Sequence, residues 1–343
     1  MALFLLLKVN FKGEKNMSIK EMKEKVQTNY YHPLMDTIDV IIKGISEKQD
    51  KNGNNYLVLS FSDGELTTSA HYFGYGKNDI DFAEGDICNI EIEAKLYQGA
   101  PNFNVYKVTK ITPNNELLDK LCKSSPISYK TMMQDILLTV KAFDNEEYKK
   151  LVLEVLKENK DKLKYWAASK SIHHGYRTGL LYHMYRMMKA AEVLCTVYTE
   201  ANKELVMSSC LLHDIGKIKE IETSETGVGI YTVEGEMFGH LYLGAEYIRN
   251  KCKELGISDI TAMEIAAIIA SHHRRLEYGA IKAPQSLEAF LVSSIDDIDS
   301  RVDIYNEPLK AVNIGEIGEK NFFLDGICYR NHGCESEEES VNE

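Results

Sequence analysis

This chain of 343 residues has no surplus of positive charge: 40 Lys and Arg stand against 52 Asp and Glu, a formal net charge of −12. That excludes a bulk electrostatic grip on a phosphate backbone, though not a local basic groove. Its seven cysteines (88, 122, 195, 210, 252, 328 and 334) form no Cys-x-x-Cys pair and are odd in number. A disulfide framework is thereby excluded, and reduced thiols in a cytoplasmic protein are expected. No apolar run approaches the ~20 residues that a membrane helix needs. The opening Met1-Ala-Leu-Phe-Leu-Leu-Leu-Lys8 is apolar but short, with neither a basic leader nor a small-residue cleavage site. A signal peptide is not expected there; an extra strand, or a true start at Met17, fits instead. Internal repeats are absent as well.

What is present suits two domains, by length and by a hydrophobic content of 44%. After an N-terminal extension (1–33), residues 34–113 alternate β-branched and aromatic residues over Asp36–Ser46, Tyr56–Ser62, Glu65–Tyr72, Asp86–Tyr97 and Phe103–Ile111. Turn residues separate these runs at Asp50-Lys-Asn-Gly53, Asp63-Gly64, Glu84-Gly-Asp86 and Gln98-Gly-Ala-Pro101. Five such strands leave no unpaired edge if they close into a barrel, and the five-stranded Greek-key barrel, the OB-fold, is the expected solution. Beyond Pro113 the period becomes helical: Ile136, Leu137, Val140 and Phe143 share a face, and Tyr148, Leu151, Val152, Val155 and Leu156 recur at three- and four-residue steps. An all-α domain is expected over 114–330, interrupted by a hairpin or lid at Glu222–Phe238. The end, 331–343, is glutamate-rich and expected to be disordered. The fold class is thus multidomain α+β, a five-stranded barrel followed by helices.

Seven residues in the helical half carry the chemistry: His183, His213, Asp214, His240, His272, His273 and Asp296. Imidazole nitrogen and carboxylate oxygen together suit Zn, Mn, Fe, Co or Ni better than the oxygen-only sites of Ca and Mg. Taken singly, His183 in its apolar helix or His240 in Phe238-Gly-His fits a hydrogen-bonded core histidine. Asp214 fits a core less well, because an ionised carboxylate buried after Leu211-Leu212 is costly without a cation beside it. Ser271-His-His-Arg-Arg275 follows an apolar helix, and Asp296-Asp-Ile-Asp299 ends another apolar run. Two metals here would acidify a water and stabilise both oxygens of an in-line displacement at phosphorus. Lys217, about one turn after Asp214, is a candidate for a phosphate oxygen, as are Arg177, Arg274 and Arg275.

These residues resemble the H…HD…D pattern of the HD-domain phosphohydrolase superfamily, with His240 and His272 as in its two-metal versions. More narrowly, the order of motifs is similar to the YhaM-type 3′→5′ exoribonucleases, which join an OB-fold to an HD domain. The matching stretches are His173-His-Gly-Tyr-Arg-Thr-Gly-Leu-Leu-Tyr-His183, Leu211-Leu-His-Asp-Ile-Gly-Lys217, Tyr231-Thr-Val-Glu-Gly-Glu-Met-Phe-Gly-His240, Ser271-His-His273 with Leu276-Glu-Tyr-Gly279, and Ile295-Asp-Asp-Ile-Asp299. The resemblance runs from about residue 34 to 330. It implies a Mn-favouring hydrolase that shortens single-stranded RNA, or DNA, from its 3′ end. It places His183, His213, Asp214 and Asp296 on one metal, and Asp214, His240 and His272 on a second, with His273 as a neighbour. Asp296 is preferred to Asp297 on the family's Asp-x-x-Asp spacing.

One departure stands out. Residues 34–113 hold seven Lys/Arg against twelve Asp/Glu, a net of −5, where a strand-binding barrel is usually basic. A homo-oligomer lining one channel with several basic strips is one expected answer. Three other readings are retained: hydrolysis of a small nucleotide or cyclic nucleotide, a non-catalytic single-strand-binding protein, and a di-iron oxygenase on the same helical scaffold.

Overall fold

A computed structural model describes residues 17–28, 33–169, 175–321, 324 and 326–332. The chain divides into two compact units, Met1–Lys123 and Ser124–Glu343. The expectations for residues 1–16, for His173 and for the tail beyond His332 lie outside the described residues.

In the first unit, β1 (Leu34–Gln49), β2 (Asn55–Ser62), β3 (Thr67–Phe73), β4 (Ile87–Tyr97) and β5 (Ala100–Lys110) close into a barrel in the order β1-β2-β3-β5-β4. All neighbours are antiparallel except β3 with β5. This is the OB-like architecture anticipated from the alternation. Ile38, Val40 and Ile42 on β1, Leu57, Leu59 and Phe61 on β2, and Ile90 and Ile92 on β4 point inward at every second position and are buried. The strand ends differ where turn chemistry is compact. Gln98-Gly99 alone makes the β4–β5 turn, and Ala100-Pro101 already pair within β5. In the β1–β2 turn the Asp50 carboxylate accepts from the backbone N–H groups of Asn52 and Asn54.

The N-terminal extension holds a helix not anticipated from sequence, α1 (Ile19–Thr28), whose Ile19, Met22 and Val26 are buried among the barrel's core residues. Asp63 fixes its start by accepting from the Ile19 N–H at 2.7 Å. Three apolar residues at helical spacing in so polar a segment give little signal without the barrel they cover. The short α2 (Asn115–Leu121) also belongs to this unit.

The second unit is built from α3 (Tyr129–Lys141), α4 (Glu146–Leu163), α5 (Gly179–Val197), α6 (Lys203–Leu212), α7 (Lys217–Glu220), α8 (Val233–Leu255), α9 (Asp259–Ser271) and α10 (Leu287–Lys310). Ser128, Asn145, Asn202, Thr232, Ser258 and Ser286 start six of these helices by accepting a backbone N–H from the first turn. Two small hairpins interrupt them. The first, β6 (Ile221–Thr223) with β7 (Gly229–Tyr231), occupies the first part of the anticipated Glu222–Phe238 segment; Val233–Phe238 belongs to α8. The second, β8 (Ile317–Asn321) with β9 (Gly326–Tyr329), packs Cys328 with Val312 and Leu324 at the end of the stretch that was expected to be all-α. α6 is buried over most of its length, and with the buried face of α5 it forms the floor of the site. Among the described residues no helix is long and apolar enough to cross a membrane.

Met22 has no exposed surface, so Met22→Ala is expected to cost about 2–5 kcal/mol. Urea denaturation followed by circular dichroism should show the loss in the barrel's transition. Trp166, the chain's single tryptophan, reports the helical unit separately and should be unmoved.

Candidate metal centre

Two helix ends, those of α6 and α9, and three helix interiors, in α5, α8 and α10, bring the polar groups together. His183 lies in the second turn of α5, fully buried like its neighbours Leu180, Met184 and Met187. His213 and Asp214 follow the C-terminus of α6 in the turn that leads to α7. Gly216 in that turn has no room for a side chain: a Cβ would lie 2.1 Å from the His240 carbonyl oxygen and 2.6 Å from the Gly244 nitrogen. The Asp-Ile-Gly-Lys turn can therefore lie against α8, which brings His240 to Asp214. Within α8, Gly239 sits at φ 70° and kinks the helix just before His240. His272 caps the end of α9 and His273 follows it. Asp296 and Asp299 lie three residues apart on one face of α10.

The side-chain ends converge into two adjoining groups. In the first, His183 Nε2 lies 3.2 Å from His213 Nε2, 3.2 Å from Asp296 Oδ1 and 3.7 Å from Asp214 Oδ2; His213 Nε2 is 3.3 Å from Asp214 Oδ2. In the second, Asp214 Oδ1 faces His240 Nε2 at 3.5 Å and His272 Nε2 at 3.6 Å, and His240 Nε2 is 3.3 Å from His273 Nε2. Asp214 thus turns one oxygen to each group.

Every one of the five imidazoles is held from behind. His183 Nδ1 pairs with Asp299 at 2.8 Å, His213 Nδ1 with the Cys210 carbonyl at 3.0 Å and His240 Nδ1 with Glu220 at 3.0 Å. His272 Nδ1 meets the Ile269 carbonyl at 2.8 Å, and His273 Nδ1 the Tyr278 carbonyl at 2.7 Å. An oxygen acceptor at Nδ1 keeps the proton there and leaves the Nε2 lone pair facing inward, the tautomer a metal ligand needs. Two such lone pairs 3.2–3.3 Å apart repel unless a cation or proton lies between them. Asp214 Oδ1 and His272 Nε2 are buried with no hydrogen-bond partner. Ligand atoms about 2.0–2.2 Å from a shared ion are separated by roughly 2.8–3.6 Å in tetrahedral or octahedral geometry. Most of the separations above fall there, so the donor set fits divalent ions in both groups.

Charge follows the same logic. Burial opposes ionisation of Asp214, but His213 and Lys217 outweigh it and hold the carboxyl well below its usual range. Lys217 Nζ is 2.6 Å from Asp214 Oδ2, and this pairing keeps the buried ammonium charged. Burial, with His213 and His273 beside it, holds His272 well below the usual histidine range. Burial also works against charge on His183, yet Asp296 and Asp299 push it up to about 9.

A cleft of about 980 Å³ opens onto this centre, lined by Lys217, His240, His272, His273 and Asp296, with Arg274 and Arg275 at its mouth. Arg177 is not among its lining residues; its backbone instead bridges to Ser124. Asp297 turns away from the imidazoles to pair with Arg301 at 2.9 Å, so Asp296 is the one that reaches them. Sequence reasoning gave no role to Glu220, which lies six residues after Asp214 without a motif of its own, nor to Arg186, which holds Asp299 at 2.8 Å.

The raised pKa of His183 sets a pH dependence. With a folded value of about 9 against 6.5 for the free side chain, its contribution to stability is complete below pH 6.5 and is lost as pH rises through 9. Chelator-treated protein should lose melting temperature between pH 6.5 and 9, and His183→Asn should lack that share of the drop. A metal ion competes with the same proton, so metal affinity should rise over this window, with proton release measurable by calorimetry in buffers of different ionisation enthalpy.

The sequence profile of the HD domain family matches residues 180–301, which span His183 to Asp299. The chain is 26% identical over 287 residues to the 3′-5′ exoribonuclease YhaM of Halalkalibacterium halodurans, covering 83% of this chain and 89% of that one. The YhaM exoribonucleases of Listeria welshimeri and Bacillus subtilis match at 27% and 24%, over 85% and 86% of this chain and 93% and 94% of theirs. Residues 180–301 therefore carry an HD domain, and over most of its length, barrel and helices together, the chain is similar to the YhaM exoribonucleases.

Proposed function

We propose that this protein is a metal-dependent 3′→5′ exoribonuclease that hydrolyses the phosphodiester bonds of single-stranded RNA, with single-stranded DNA as an alternative substrate. The observation that carries the reading is Asp214, whose two oxygens face separate groups of imidazoles at the floor of an open cleft. Polarity and substrate come from the relatives, whose names specify 3′-5′ exoribonuclease activity.

His183, His213, Asp214 and Asp296 would hold one divalent ion, and Asp214, His240, His272 and His273 the other. The mixed nitrogen and oxygen donors suit Mn, with Fe, Co, Ni and Zn as alternatives. When bound, such a pair supplies Lewis acidity to the scissile phosphoryl group and lowers the pKa of the attacking water. The protein's own groups do the rest. Lys217 keeps Asp214 ionised in a buried place. Glu220 and Asp299 keep the His240 and His183 lone pairs aimed inward. Arg274 and Arg275 put positive charge where the phosphate backbone enters. A cytoplasmic enzyme fits the six described cysteines, all buried and none in a disulfide among the described residues. A homo-oligomer that gathers several such clefts would offset the acidity of the barrel.

With Mn and a 5′-labelled single-stranded RNA, the protein should produce a ladder that shortens from the 3′ end. Asp214→Ala should produce none while keeping its helical circular dichroism. Intact RNA alongside hydrolysed free nucleotides would move the substrate to the small-nucleotide class, and a normal ladder from Asp214→Ala would remove the site assignment. Glu220→Gln and Asp299→Asn should each weaken Mn binding about 10–100-fold in calorimetry, because each leaves one imidazole without its anionic acceptor.

A further inference from the structure

The mouth of the cleft carries a feature that the metal centre does not use. Arg274 and Arg275 follow His273 directly, and among the described residues neither guanidinium has a carboxylate within ion-pairing distance. The cleft's other cations are neutralised, Lys217 by Asp214 and Arg301 by Asp297. In a chain of net charge −12, two adjacent arginines left without acids are an anion-binding feature. Each lies instead over an aromatic ring that also lines the cleft. Arg275 is 5.9 Å from the centre of Tyr278, and Arg274 is 5.6 Å from the centre of Phe290. These rings are 64% and 49% exposed, so large apolar surfaces face solvent at the rim.

The backbone is set to hold this arrangement. Arg274 adopts φ 65°, a left-handed conformation that a residue with a side chain rarely takes. The Tyr278 carbonyl accepts from His273 Nδ1, so the short turn presenting Tyr278 also positions a residue of the metal centre. A ring covered by a guanidinium on one side has its other face for a planar partner, and the guanidinium edge stays available to phosphate oxygens.

We propose that Tyr278 and Phe290 form a stacking platform for the bases of the terminal nucleotides, with Arg275 and Arg274 on the phosphates that join them. This inference rests on the nuclease reading and assigns its substrate-positioning residues. Stacking tolerates any base, so the platform selects single-stranded nucleic acid without reading sequence. A duplex keeps its bases stacked on each other and cannot use it.

The experiment compares wild type with Tyr278→Leu, Phe290→Leu and Tyr278→Phe by three readouts. These are binding of a fluorescent single-stranded oligoribonucleotide in EDTA, kcat and KM for its degradation with Mn, and Mn-dependent hydrolysis of methyl 4-nitrophenyl phosphate. Each leucine variant should raise Kd and KM about tenfold or more while kcat and turnover of the small diester stay near wild type. Tyr278→Phe should behave as wild type, because the ring and not the hydroxyl is used. Unchanged oligonucleotide affinity in both leucine variants overturns the platform. Loss of small-diester turnover in step with RNA turnover also overturns it, since the rings would then merely support the metal centre. A wild-type protein that binds RNA but hydrolyses neither substrate sinks the nuclease reading, and the EDTA binding data still decide the platform separately.

Discussion

Five imidazoles, each with its Nδ1 proton tied to an oxygen, are the constraint on which the site depends. With that proton held by Asp299, Cys210, Glu220, Ile269 or Tyr278, each ring has one orientation and one tautomer, and its Nε2 lone pair points at the others. Three of the acceptors are backbone carbonyls, and two of those belong to the residue three positions before the histidine. At a helix end, where the last carbonyls lack intrahelical donors, such a bond satisfies the backbone and aims the ring together. The two carboxylate acceptors are divided between the groups: Asp299 behind His183 and Glu220 behind His240. Each group so receives one imidazole made more basic by an anion.

Such a centre is costly to fold. Burying an ionised Asp214 costs several kcal/mol when it is left unpaired, and lone pairs facing one another add repulsion. The surrounding structure answers with rigidity. α6 is buried from Leu205 to Leu212, α5 packs methionines and leucines around His183, and the close contact at Gly216 locks α8 to the His-Asp turn. Lys217 offsets part of Asp214's charge from within, which leaves Oδ1 as the orphaned acceptor facing His240 and His272. Cations in this place turn a liability for folding into a source of stability, and they link metal binding to the integrity of the helical unit.

Much of this was legible in the residues. Strand alternation marked the barrel because one face of each strand is buried and the other is not, and the His and Asp residues stood out because their chemistry is poorly suited to an apolar core. The partners behind the imidazoles were far less visible. A backbone carbonyl has no sequence signature, and Glu220 looks like any charged residue in a short helix. Arg177 was a phosphate candidate by its charge; its backbone bridges to Ser124, and it is not among the residues that line the cleft. α1 and the β8–β9 hairpin escaped for a related reason: each is stabilised by a surface elsewhere in its own unit, and neither has enough local pattern to announce itself.

In the proposed centre Asp214 stands between two cations. Anomalous diffraction from crystals grown with Mn tests it most directly. Two peaks per chain are expected, one among His183, His213, Asp214 Oδ2 and Asp296, the other among Asp214 Oδ1, His240, His272 and His273. Peaks placed elsewhere, or none between these side chains, would contradict it.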